Sequence, residues 1–353
     1  MGVSLQDKFY GCIAGCHIGS AMGAAVEAMT FQRIEEVHGF VEKLLPYMHY
    51  NNGWMREAGT TEDGVERQKL MITAIAEKGG RVNAEDVRNA WVDHANPEAG
   101  GWISEPFERT LLAMAKSGIP ARDIGKYCDY AGLNSFSRAC HAIGLINAGN
   151  IETAIEDILE VGQLYQTTNS RGLKWACVTG VAIAAATLPN ATVESVIQAV
   201  RDNCDKEVTR EIDRHLEQTK DITDIRDLRL YFEKHYNGVG MPYCMSFANE
   251  VVTKGMCVFR MVKGETKAAI IAGTNMGRDT DCVAAVASGI SGALTGTASI
   301  PDEWMTQVDY ATTVNPHTCV KRTVKENADL VYGAYVKRLK KEEEFVTQMK
   351  KEL

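Results

Sequence analysis

Gly11-Cys12-Ile13-Ala14-Gly15-Cys16-His17-Ile18-Gly19-Ser20-Ala21-Met22-Gly23-Ala24-Ala25-Val26-Glu27 is the stretch on which the fold turns. Its glycines recur every four residues, so a helix through them carries one face without side chains, open to close approach by another backbone. Each glycine costs a helix interior about 0.8–1 kcal/mol relative to alanine, which packing or a ligand contact must offset. Tight packing accounts for Gly11 and Gly15. The residues Gly19 to Gly23 read as a loop that delivers Glu27.

Outward from that stretch, apolar residues spaced by three and four, many alanines and only eight prolines in 353 residues give an all-α protein. The spacing predicts helices over Asp7–Gly19, Glu62–Lys78, Ala84–His94, Glu105–Ser117, Ile151–Tyr165, Gly172–Thr187, Val193–Asp202, Phe247–Val262, Thr266–Ala272, Cys282–Leu294 and Asn327–Met349. Valine and isoleucine runs bounded by hairpin dipeptides are lacking, so no sheet organises the chain. Without a Pro- or Gly/Ser-rich linker or an internal repeat, residues 1–353 are expected to form a single domain. Within it, 203–236 reads as a polar surface excursion without a strong apolar face, and 337–353 as a charged, solvated terminal helix.

A hydrophobic content of 45% supports a sizeable core, and a net charge of −8 without a basic block excludes nucleic acid and anionic membranes as expected partners. A small polar ligand suits that balance better. Ten scattered cysteines without paired spacing, and Asp7 and Lys8 interrupting any early apolar run, point to a reduced, cytoplasmic protein. The uncharged stretches 175–193 and 282–301 are broken by Pro189 or rich in small residues, so neither reads as a membrane span.

Two segments carry acids at helix starts. In Gly59-Thr60-Thr61-Glu62-Asp63-Gly64 a threonine precedes two carboxylates, as helix capping and the macrodipole favour. In Asn275-Met276-Gly277-Arg278-Asp279-Thr280-Asp281-Cys282 two aspartates separated by one residue feed a small-residue helix. Buried together against apolar surface they would repel each other, unless a hard cation accepts their oxygens. Val283 and Ile290 fall where a calcium loop of the EF-hand kind needs ligands, which excludes that class. His17, next to Cys16 and five after Cys12, has the look of a zinc cluster but lacks a fourth partner and reads as structural. His94, Asn96 and Trp102 lie near Gly100-Gly101, where an aromatic ring either stacks on a base or simply packs.

Taken in order, the glycine-rich start with Glu27, the Thr61-Glu62-Asp63 helix start and Asn275-x-Gly277-x-Asp279-x-Asp281 resemble the ADP-ribosylglycohydrolase family, over most of residues 8–297. Ile143 to Gly149 and Thr168-Asn169 resemble its middle segments. The resemblance implies a single-domain orthogonal helical bundle with a pair of Mg2+ or Mn2+ ions. It implies Glu27 and Asp63 as catalytic residues, and Thr61, Glu62, Asp279, Asp281 and Cys282 as the metal-ligand positions. Substrate contacts would come from Gly23, Asn134, Ser135, Asn169, Asn275 and Gly277. Three positions depart from the family pattern: Ser20 and Glu62 each stand for an Asp, and Cys282 for a Thr ligand. A neutral thiol is a poor magnesium ligand, so the resemblance allows two ions or one. Gly64 also replaces a common Thr.

The implied activity is metal-dependent hydrolysis of an ADP-ribosyl or ribosyl N- or O-glycosidic bond, with an ADP-ribosylated or small-molecule substrate. Two alternatives remain open. One is an N-ribosidase acting on a small nucleoside-like molecule, and the other is a catalytically silent binding protein of the same fold.

Overall fold

The computed structural model describes residues 2–48, 53–95, 106–128, 131–238 and 245–352. Seventeen α-helices run through them: α1 (Leu5–Ala24), α2 (Phe31–His38), α3 (Asp63–Lys78), α4 (Ala84–His94), α5 (Pro106–Lys116), α6 (Ala121–Ile124), α7 (His141–Ile146), α8 (Ile151–Val161) and α9 (Arg171–Ala186). They continue with α10 (Val193–Asn203), α11 (Lys206–Gln218), α12 (Ile225–Glu233), α13 (Ala248–Met261), α14 (Thr266–Thr274), α15 (Thr280–Thr295), α16 (Asp302–Val314) and α17 (Val324–Met349). The all-α expectation holds. A two-residue antiparallel pair, β1 (Tyr47–Met48) with β2 (Met55–Arg56), registers Tyr47 against Arg56 and is the described sheet.

At the centre α1 lies along α15, and here the glycine ladder has its explanation. A methyl group at Gly11 would stand 2.5 Å from the Gly296 carbonyl carbon, one at Gly15 2.8 Å from that of Ser288, one at Gly19 2.9 Å from that of Ala284, and one at Gly23 2.5 Å from Cα of Asp281. All four glycines therefore admit α15 backbone, and α1 continues through Ala24. The loop expected over Gly19–Gly23 is helix instead, because close packing against α15 offsets the cost of glycine. The Ser288 hydroxyl donates 2.6 Å to the Gly15 carbonyl oxygen, and the Thr280 hydroxyl donates 2.8 Å to that of Gly23.

The remaining helices form layers around this pair. α13, α14 and α9 pack against α15, while α17 and α16 pack against α1. Phe9, Ile13, Ile18 and Met22 on α1 are fully buried, each contributing about 1.5–3 kcal/mol by leaving water. Phe9 meets Tyr332 of α17 edge to face, with ring centroids 5.3 Å apart. Residues 339–352 on and beyond the end of α17 are exposed.

The segment 203–236 differs from its expected character. It contains α11 and α12, whose Val208, Ile212, Leu216, Ile225, Leu228 and Phe232 are buried, so a narrow apolar stripe exists beneath the charges. Among the described residues no helix is long and apolar enough to cross a membrane. Nine described cysteines are free thiols, all but Cys319 buried.

Candidate active site

Three chain segments converge at the end of α1. Gly23 lets the last turn of α1 touch the first turn of α15. Just beyond, the Ala28 amide donates 2.9 Å to the Arg278 carbonyl, and the Arg278 amide donates 2.7 Å to the Met29 carbonyl. This short backbone ladder sets half-buried Glu27 beside the segment that bears Asp279 and Asp281. Both Ala28 (φ 65°) and Arg278 (φ 72°) adopt left-handed backbone to make the turn. Gly277 (φ 76°) is required there as well, since a methyl at that position would stand 2.6 Å from the Phe31 nitrogen.

Asp279 precedes the first residue of α15 and Asp281 lies in its first turn; with Cys282 they place one ligand atom each within 4.8 Å of one another. All three are buried. Asn134 Nδ2 donates to Asp279 Oδ2 at 2.9 Å, and the Cys282 thiol donates to Asp281 Oδ2 at 3.5 Å. The two Oδ1 atoms, buried as well, have no hydrogen-bond donor among the described residues. Burial first, then the negative charges of Glu27 and Asp279, push the Asp281 carboxyl well above the usual carboxylate range. Two buried carboxylate oxygens lacking a donor fit a hard divalent cation, whose charge relieves both desolvation and repulsion.

The second acid segment is neutralised differently. Thr61, Glu62 and Asp63 are all buried where α3 begins. Glu62 accepts a short hydrogen bond from the Tyr47 hydroxyl and lies 3.1 Å from Arg56 Nε, both delivered by the β1–β2 pair. Burial pushes the Glu62 carboxyl up to about 7 against the pull of Arg56. Asp63 Oδ2 takes Arg67 Nη2 at 2.8 Å and Arg138 Nη2 at 2.6 Å, while its Oδ1 accepts the Gly64 amide at 2.8 Å. Arg138 Nη1 reaches across to Cys282 Sγ at 3.5 Å, tying the two acid segments together. Ser20, Gly64, Arg138, Asp281 and Cys282 border one narrow interstice. The Thr61–Asp63 side, with its carboxylates already held by guanidinium groups, does not fit a second ion as the Asp279–Asp281 side fits a first.

The expected substrate contacts divide. Asn134 is at the site. Ser135 is buried beside it, its carbonyl accepting Arg67 Nη1 at 3.2 Å. Asn275 ties the loop to α14's end: its Nδ2 donates to the Val41 carbonyl at 2.8 Å and its Oδ1 accepts the Val41 amide at 3.0 Å. Gly23 and Gly277 likewise serve close packing and a turn. Asn169 is exposed, in left-handed backbone (φ 65°), on the turn before α9, whose Gly172 amide donates to the Ala131 carbonyl. His94 pairs at 2.9 Å with Glu77 on the surface, and Asn96, Gly100, Gly101 and Trp102 lie outside the described residues.

His17 belongs to a buried chain of hydrogen bonds rather than a zinc site. Its Nε2 donates to Gln68 Oε1 at 2.8 Å, Gln68 Nε2 donates to Cys16 Sγ at 3.3 Å, and the Cys16 thiol lies 3.7 Å from His141 Nδ1. His141 Nε2 ends the chain on the Ala285 carbonyl at 3.1 Å. Sequence reasoning missed Tyr47, Arg56, Arg67 and Arg138. Only Arg67 had a local signal, four residues after Asp63 on one helix face.

Helical layers around two closely packed, glycine-lined helices bring the acid-bearing segments together at one end of α1 and α15. A sequence model of the ADP-ribosylglycohydrolase family matches residues 1–339, and the chain belongs to that family. It is 24% identical over 317 residues to the ADP-ribosyl-[dinitrogen reductase] glycohydrolase of Rhodospirillum rubrum, covering 87% of this chain and 92% of that protein. An uncharacterized protein of Archaeoglobus fulgidus is 25% identical over 315 residues, covering 85% of this chain and 91% of its own length. Among solved structures, an ADP-ribosylglycohydrolase-related protein complex superposes with a TM-score of 0.65 at 15% identity, covering 94% of this chain and 98% of the other.

Proposed function

We propose that this chain, acting as one domain, hydrolyses an ADP-ribosyl N- or O-glycosidic bond with the help of a divalent cation, Mg2+ or Mn2+, in a cytoplasmic setting. The observation that supports this reading most is the pair of buried Asp279 and Asp281 oxygens without donors, next to Glu27. Asp279 and Asp281 would hold the ion. When bound, such an ion polarises ligating oxygens and lowers the pKa of a bound water.

The chain's own groups take the remaining tasks. Asn134, through its 2.9 Å bond to Oδ2, fixes the Asp279 carboxylate and leaves Oδ1 without a donor. Glu27 is the general base, because it is half-buried, carboxylate-bearing and close enough for its charge to raise Asp281. Asp63 anchors Arg138 and Arg67 instead of carrying a proton, since both its oxygens already accept hydrogen bonds. Glu62 and Tyr47 form the wall on that side. Water attacks the anomeric carbon as the bond to the departing N or O breaks with both electrons on that atom; the water's proton passes to Glu27 and is returned through solvent to the departing atom, which restores the carboxylate.

The test is to incubate the purified chain with Mg2+ or Mn2+ and either an ADP-ribosylated protein or free nucleosides. Release of ADP-ribose from the protein supports the proposal. Release of base from nucleosides alone moves the reading to an N-ribosidase, and release from neither overturns it.

A further inference from the structure

Arg138 joins Asp63 to Cys282, so a positive charge is already built in between the two acid segments. Its guanidinium lies 2.6 Å from Asp63 Oδ2 and 3.5 Å from Cys282 Sγ, with only 9% of the residue exposed. We infer that Arg138 is a permanent cation in the half of the site facing Asp63, so that the chain holds one divalent ion, on Asp279 and Asp281, instead of two.

Three further observations bear on this. Gly64 makes the room, since a methyl there would stand 2.9 Å from Arg138 Cδ and the arginine side chain would have to shift. Cys282 presents to Arg138 a soft sulfur where a hydroxyl ligand would otherwise stand, and its thiol turns toward Asp281 Oδ2. Asn134 lies four residues before Arg138, and the Arg138 amide donates 3.2 Å to the Asn134 carbonyl. One helical turn thus aims Asn134 at Asp279 and Arg138 at Asp63. Gly64, Arg138 and Cys282 meet at one place: a small residue, a long cation and an uncharged sulfur. A guanidinium gives Asp63 the charge balance of an ion without leaving when solution metal is scarce.

The inference rests on the metal reading above, and metal counting separates failure of one from failure of the other. Mn2+ bound to the full-length chain is counted by equilibrium dialysis and its electron paramagnetic resonance spectrum is recorded. About one equivalent with the six-line spectrum of an isolated ion is expected. About two equivalents with exchange-coupled lines would overturn the role of Arg138 while leaving the metal reading intact. No bound Mn2+ would overturn both. Cys282→Thr alone is expected to keep the count at about one, because the guanidinium remains. Arg138→Ala with Cys282→Thr is expected to raise it to about two. A folded double variant that still binds one, or a Cys282→Thr chain that binds two, would defeat the inference. Should the double variant fail to fold, the wild-type count and spectrum decide by themselves.

Discussion

Ser288 of α15 donates its hydroxyl proton to the carbonyl oxygen of Gly15 at 2.6 Å, and a methyl on Gly15 would stand 2.8 Å from the Ser288 carbonyl carbon. The hydrogen bond and the missing side chain are two aspects of one contact. The helices come close enough for a serine to reach the neighbouring backbone only because nothing projects from Gly15. Gly15→Ala gains about 0.8–1 kcal/mol of helix propensity but forces α1 and α15 apart, at an overpacking cost of about 1–3 kcal/mol with loss of the Ser288 bond in addition. The expected result is a lower urea midpoint for Gly15→Ala, and a lowered one for Gly19→Ala as well. A midpoint at or above that of the wild type would show that the ladder is not what holds the helices together.

Asp281→Ala removes a buried carboxylate that lacks a donor on one oxygen and is repelled by Glu27 and Asp279. Stability is expected to hold or rise, while glycohydrolase turnover falls by about a hundredfold or more. Circular dichroism and a rate assay on the same preparation check both parts. Full turnover in a well-folded variant would remove Asp281 from the site.

Arg56 and Glu62 form a buried pair with side chains only 3% and 6% exposed. Arg56→Ala leaves the Glu62 carboxyl without its counter-charge and is expected to cost about 3 kcal/mol. Arg56→Ala combined with Glu62→Gln should recover part of that loss, because no charge is then stranded. Strict additivity of the two changes in denaturant unfolding would mean that the residues do not interact.

Acid should weaken the fold through the buried histidines. Burial, and after it the charge of Lys69, holds His17 down at about 3, and burial holds His141 at about 4. In the unfolded chain both protonate near the ordinary 6.5. Between those values the unfolded state binds more protons. Their contribution to stability is therefore complete above pH 6.5 and is lost as pH falls, at up to about 1.4 kcal/mol per pH unit for each histidine. Glu62, raised from 4.5 to about 7, acts with the opposite sign across that window, so the difference between wild type and His17→Gln isolates the histidine. Urea midpoints from pH 7 to pH 5 should converge for the two proteins as pH falls. Parallel curves would mean that His17 titrates normally in the fold.

The helices were legible where their signals are local. Ala84–His94 coincides with α4 because Asn83 caps it, accepting the Asp86 amide at 2.9 Å, and Ala95 ends it. Glycine weighs against a helix, so the sequence predicts an α1 that stops at Gly19; the weight is lifted by α15, whose Ser288 lies 273 residues from Gly15. α11 and α12 are hard to read from sequence because Val208, Ile212 and Leu216 are thinly spaced among charges, yet a stripe that narrow suffices to bury them. For the site, the acids were readable as motifs and their basic partners were not. Arg138 meets Asp63 across 75 residues of chain, and Tyr47 and Arg56 reach Glu62 through a two-residue strand pair.

Sequence alone therefore settled the all-helical class, the bare stripe on α1 and the positions of the acidic helix starts, each of which depends on neighbours within one or two turns. Tertiary structure decided which carboxylates stay without donors and which are met by guanidinium groups. That outcome depends on where distant segments cross, and on whether a residue such as Gly64 leaves space for an arginine beside it.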